Sequence, residues 1–289
     1  LVEGQKDNIE TAIEEIKKLE DSGDKLIALL ELARLLVEKG DNEKAWELVN
    51  FVEERLEKID KKYKSSLYSL ILRLRSLLQD EKAFDLYKQW SDKIYGFDYI
   101  HFMPELYALL IQKNMHKKAH ILVDQITDIE RKDMTILGII DELKKKDLIK
   151  EAAKISLKIK DDLIMAQAYL IISKYYKDKK ERLAYCKLAF DRLLRWMDAQ
   201  FTILQKFAER IKEEDKNYAN MNISQIIFFH PQASSYLRNI INTFSKGLND
   251  IMDTLIELDM FNEAIHLANY ACSVKRFGCE VLKLSLIHI

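Results

Sequence analysis

Helix breakers are scarce in this chain, which has two prolines and seven glycines in 289 residues. That supply is too small for the turns of a β-sandwich or the glycine loops of a doubly wound sheet. Long helices with short polar links are expected instead. Cysteine is scarce too. Cys186, Cys272 and Cys279 are odd in number and lack Cys-x-x-Cys spacing, which fits small buried thiols in a reducing compartment. No apolar run approaches the roughly 20 residues of a membrane-spanning helix. The opening Leu1-Val-Glu-Gly-Gln-Lys6 has no basic-then-apolar signal pattern. Membrane insertion is therefore not expected, and the cytoplasm is the default location.

A surplus of charge of one sign is also missing. The net charge of −1 argues against a general polyanion binder, so a nucleic-acid partner is not expected. The balance is uneven along the chain, however, at −8 over residues 1–60 and +6 over residues 144–182. Both stretches read as solvated helix faces, or as the two ends of an array that steers a charged partner.

The motifs of catalysis are missing as well. There is no glycine-rich phosphate loop, no Gly-x-Ser-x-Gly elbow and no metalloprotease signature. His116, His120 and Asp124 are spaced four apart, on one face of a helix, and three such side chains could ligate zinc. Lys117 and Lys118 flank them, and a polar outer face is the preferred reading. No enzyme activity, metal or cofactor is expected.

What the chain does contain is a recurring phrase: Gly40-Asp-Asn-Glu-Lys-Ala45, Gln79-Asp-Glu-Lys-Ala83, Asn114-Met-His-Lys-Lys-Ala119, Asp147-Leu-Ile-Lys-Glu-Ala152, Asp178-Lys-Lys-Glu-Arg-Leu-Ala184 and Asp259-Met-Phe-Asn-Glu-Ala264. Each is a polar turn between two amphipathic stretches, closed by an alanine. The alanines are 38, 36, 33, 32 and 80 residues apart, the last gap being two periods. Helix pairs at this period bury together a face that none can bury alone.

The clearest unit runs from Asp24 to Ile59. Leu26, Leu29, Leu30, Ala33 and Leu36 form one apolar stripe, and Ala45, Leu48, Val49, Val52 and Leu56 form the other. Asp24 is expected to cap the first helix, and Gly40 to end it in the left-handed conformation. Asp41 is then expected to cap the second. Ile126-Thr-Asp128 and Ile159-Lys-Asp161 mark the same register 33 residues apart. In this unit the chain resembles the tetratricopeptide repeat family. Gly40 falls on that family's turn position and Ala33 on its small crossing residue, while Leu29, Leu32 and Leu36 fill bulky positions. The family's repeat-end proline is absent and the aromatic positions are mostly aliphatic. Similarity covers about residues 24–212 and resumes weakly at 248–275.

The resemblance implies an all-α fold, a right-handed superhelical array of antiparallel helix pairs forming an α-solenoid. Residues 1–23 are read as the second helix of a truncated leading repeat and 24–212 as the repeats. Residues 213–247 are read as a degenerate repeat or bend, with Ile223, Ile226, Ile227, Phe228 and Phe229 buried or, alternatively, forming an exposed docking patch at the bend. Residues 248–283 are read as a final helix pair and a truncated next repeat. Residues 284–289 resemble translated adapter read-through and are read as non-native. In the family, first helices line a concave groove that grips a peptide or partner helix. The register carried across places Arg34, Glu38, Arg73, Asp141, Lys145, Lys174 and Glu209 there. Trp46, Trp90 and Trp196, on or beside second helices, are read as packing between repeats. The expected function is a non-enzymatic protein-interaction module or scaffold with a protein or peptide partner. The alternatives are a sensor or regulatory array attached to a missing effector domain and a single-stranded RNA-binding repeat.

Overall fold

The computed structural model describes residues 3–95, 98–257 and 259–273. Among the described residues there are fourteen α-helices, two short 3-10 turns and no strand, so the chain is all-α. It divides into two compact units after Asp147.

The first unit contains α1 (Glu3–Lys18), α2 (Gly23–Glu38), α3 (Asn42–Glu53), α4 (Lys61–Leu77), α5 (Ala83–Trp90), α6 (Asp98–Gln112), α7 (His116–Asp124) and α8 (Ile129–Lys145). Helix α2 packs on α3 and on α4, α4 on α5 and α6, and α6 on α7 and α8. Thus α2, α4, α6 and α8 follow one another in a continuous layer, and the shorter α3, α5 and α7 each lie on the helix before them. The core is aliphatic, built on Leu26, Leu29, Leu67, Ile71, Ile136 and Ile139, with Phe84, Tyr87, Phe102 and Tyr107 filling the middle. At the crossing of α6 and α8, Pro104 lies 3.1 Å from where a Cβ on Gly138 would stand.

The turns between paired helices share one backbone solution. Gly40, Gln79, Asn114, Asp147 and Asp259 are the first residues of five recurring phrases, and they are the five described residues with positive φ, from 56° to 82°. After α2, the Asp41 N–H donates to the Leu36 carbonyl at 2.9 Å and the Gly40 N–H to that of Val37 at 3.0 Å. The same two bonds recur at Asp80 and Gln79, at Met115 and Asn114, and at Met260 and Asp259. They satisfy carbonyls that a helix end would otherwise leave without donors. The alanine closing each phrase then drops into the core, with Ala45, Ala83 and Ala119 fully buried and Ala152 and Ala264 at 2 % exposure.

The sixth phrase behaves differently. Asp178 is an N-cap with φ −78°, accepting from the N–H groups of Lys180 and Glu181, and Ala184 is exposed. One added residue rotates this alanine off the buried face, where Cys186 and Ala189 take the small-residue positions. The first cap also differs from expectation. Ser22 caps α2, accepting from the Lys25 N–H at 3.2 Å, while Asp24 accepts from the Tyr63 hydroxyl at 3.1 Å. The Tyr63 ring occupies the space a Cβ on Gly23 would need, which keeps that position bare. Asp41, Asp128 and Asp161 cap α3, α8 and the helix beginning at Asp162.

The second unit contains α9 (Ile149–Ser156), α10 (Asp162–Ser173), α11 (Lys179–Glu214), α12 (Ile223–Phe229), α13 (Pro231–Glu257) and α14 (Phe261–Ser273). Helix α11 packs on α10, α12 and α13, and α14 packs on α13. Its two long members replace the short pairs of the first unit. With 36 residues, α11 is unbroken, and α13 is continuous across the division expected at 247–248. His230 before Pro231 adopts ψ 124° and ends α12, as steric pressure from the proline ring requires. Of the apolar cluster in α12, Ile226 is fully buried, whereas Phe228 and Phe229 are 48 % and 68 % exposed. The short helix has only one face to bury. Cys279 and residues 284–289 lie outside the described residues.

Relieving the backbone strain at Gln79 gives a direct check on these turns. A left-handed conformation costs a residue with a Cβ about 1–2 kcal/mol. Gln79→Gly should therefore stabilise the chain by about 1 kcal/mol, or raise its melting temperature by about 2–4 °C. Asn114→Gly should gain less, because asparagine tolerates this region. Gln79→Val should lower the melting temperature. Thermal unfolding followed by circular dichroism reads all three.

Candidate partner-binding surface

Charged side chains on α2, α4, α6 and α8 form this surface. On α2, the Arg34 Nε lies 2.9 Å from Glu31, and its Nη1 also bonds Glu38. On α4, the Arg73 Nε donates to Glu105 Oε1 of α6 at 2.7 Å. On α8, Lys145 lies 3.4 Å from Asp141 and 3.1 Å from Glu142, and Lys146 lies 3.7 Å from Glu142. Five of the expected residues (Arg34, Glu38, Arg73, Asp141 and Lys145) thus stand on the helices that pack in succession. Lys174 caps the C-terminus of α10 and is exposed. Glu209 is also exposed, and it sits on the same unbroken helix as Ala184 rather than on the first helix of a new pair.

Glu105 and Glu142 were not among the expected residues, although each is only 7 % exposed. A glutamate inside the apolar run Met103-Pro-Glu-Leu-Tyr-Ala-Leu-Leu-Ile111 is the signal that marks the first of them. Oε2 of Glu105 is buried without a hydrogen-bond partner among the described residues. Burial pushes the Glu105 carboxyl above the usual glutamate range, and the nearby Glu142 charge adds to this, while Arg73 pulls the other way. A second cationic tie is purely internal. Arg75 grips Glu53 of α3 with two bonds of 2.6 Å, reaches Asp80 at 2.5 Å and lies over the Trp46 ring at 5.0 Å. Trp90 packs on Tyr68 with centroids 4.7 Å apart, and Trp196 is half-buried in α11.

The candidate metal ligands on α7 turn to different neighbours. Tyr107 lies 3.5 Å from the His120 Nδ1, and Lys132 lies 3.6 Å from Asp124. Among the described residues, no group of three or more His, Cys, Asp or Glu is placed to hold a metal ion. Cys186 is buried, and burial pushes its thiol pKa up. No described helix is long and apolar enough to cross a membrane. No known protein family, curated protein or solved structure matches the chain.

The raised Glu105 pKa has a definite consequence for stability. The native state binds this proton more tightly than the unfolded chain does. The group's contribution is fully present below the ordinary glutamate value, about pH 4.3, and is lost as pH rises through the elevated native value. Glu105→Gln cannot titrate. Wild type should therefore lose stability relative to this variant between about pH 4.3 and pH 7, as read by urea unfolding at each pH.

Proposed function

We propose that the chain is a non-enzymatic protein-interaction module of tetratricopeptide-like helix pairs. In this reading the partner, an extended peptide or a helix, lies along α2, α4, α6 and α8. The observation that carries it is the recurrence of Arg34, Arg73, Glu105 and Glu142 on four helices that pack one on the next, each half or fully buried at the stem. Charges of both signs along one surface give a partner its register and its encounter rate more than its affinity. Arg34, Glu38, Asp141 and Lys145 make the outer contacts, and Arg73 holds the buried acid in place. Lys174 and Glu209 belong to the second unit and make separate contacts. The cytoplasm is the proposed location.

A second reading has its own support. Lys174, Lys177, Lys179 and Lys180 are all exposed in the turn leading from α10 into α11, and Tyr176 stacks on Tyr185 beside them at 5.2 Å. Cations next to aromatic rings suit a single-stranded nucleic acid.

One set of variants separates the two readings. Arg34→Glu with Lys145→Glu should weaken capture of the protein partner by about tenfold while the far-ultraviolet spectrum stays unchanged. An unchanged set of captured proteins would remove this surface from the proposal. Steeply salt-dependent binding of labelled oligouridylate, lost in Lys177→Gln/Lys180→Gln, would favour the nucleic-acid reading instead.

A further inference from the structure

We propose that the second unit holds a binding site for a free α-amino acid with a large apolar side chain. Between α11, α13 and α14 lies a cleft of about 460 Å³. This falls within the range of roughly 300–1,000 Å³ typical of small-molecule sites. Its walls are apolar, formed by Leu183, Cys186, Phe190, Leu255 and Leu267. Cys186 and Leu255 are each 1 % exposed and so close the inner end.

Four charged or polar groups stand in the lining with them. Lys187 and Asp191 are one turn apart on α11, and Glu263 and His266 are one turn apart on α14. No side chain of these four takes part in an ion pair or hydrogen bond among the described residues. Glu263 is half-buried, while Lys187, Asp191 and His266 are exposed at the mouth of the cleft. On α11, Arg192 reaches Asp162 at 2.8 Å, and Arg34, Arg73 and Lys145 of the first unit are likewise paired with acids. Two carboxylates and two nitrogen bases around an apolar well therefore remain available to a ligand.

The sign pattern restricts the ligand class. A fatty acid would leave Asp191 and Glu263 without a counter-charge, and an alkylamine would leave Lys187 without one. A residue inside a peptide carries neither charge at its α-carbon. A free amino acid presents an ammonium to the two carboxylates and a carboxylate to Lys187 and His266, and its side chain fills the well. Leucine and phenylalanine fit this description, whereas glycine lacks the apolar body. The site lies wholly within the second unit and does not depend on the proposed partner surface.

The test is calorimetric titration of the full chain with L-phenylalanine and L-leucine, each up to about 10 mM, alongside glycine, phenylacetate and phenethylamine. The expected result is saturable binding of the two apolar amino acids. The analogues lacking one charge should bind about tenfold more weakly or worse, and glycine not at all. Lys187→Gln and Glu263→Gln, both away from the core, should each weaken phenylalanine binding by about tenfold without moving the melting temperature. In a Cys272→Ser/Cys279→Ser background, bound phenylalanine should also slow alkylation of Cys186. Absence of saturable binding overturns the site. So does equal binding of phenylacetate and phenylalanine, or binding that survives both substitutions, since a merely greasy cleft would behave that way.

Discussion

A helix can end in water at little cost, but it can end against a second helix only if its last carbonyls find donors within the turn itself. The left-handed residue at Gly40, Gln79, Asn114 and Asp259 meets that requirement by aiming two successive N–H groups back into the preceding helix. Everything downstream in the pair depends on it. The reversal is tight, so the alanine in the first turn of the next helix comes to lie on the core. There a larger side chain would hold the two backbones apart. The tolerance of a glutamine at one of these positions shows how strongly the surrounding packing imposes the conformation.

The two units solve the burial problem in different ways. The first repeats a short motif and accepts charged residues close to its interior, with Glu105 and Arg75 tied to partners on neighbouring helices and Glu142 to Lys145 on its own helix. Such ties specify register, because a one-turn slip would strand a carboxylate in an apolar setting. The second unit relies on long helices with apolar stripes (Leu193, Met197, Leu204, Ala208 and Ile211 on α11; Leu237, Ile240, Phe244, Leu248 and Ile251 on α13). It leaves more of its cations unpaired, so its electrostatics face outward.

Helical class, turn positions and much of the core were legible from residue order, because a polar phrase followed by a buried alanine is a local pattern with a local cause. Asp41 as a cap was legible for the same reason, whereas Asp128 and Asp161 were legible only as markers of the register. Ser22 was not, since Asp21-Ser-Gly-Asp24 offers several oxygens and only the Tyr63 ring, 39 residues away, decides which is used. The displaced Ala184 and the unbroken α11 escaped the periodic reading because Asp178 looks like its counterparts while its backbone is extended, with negative φ. Phe228 and Phe229 resembled core because burial of a run depends on how many helices surround it. In the candidate surface, charged positions could be placed on helices from register alone. The buried Glu105 required knowledge of which helix lies beside α6.

Helix α11 contains neither glycine nor proline, and at about 1.5 Å per residue its 36 residues extend for about 54 Å. Sharp bends in helices arise at those residues or where the hydrogen-bond ladder is interrupted, and nothing in this segment supplies such a point. The segment is therefore a stiff strut. A push on its Glu214 end, where α12 leans on it, arrives at the Lys179 end as a displacement instead of being absorbed by flexure. Mechanically, this part of the second unit is a rod rather than a hinge.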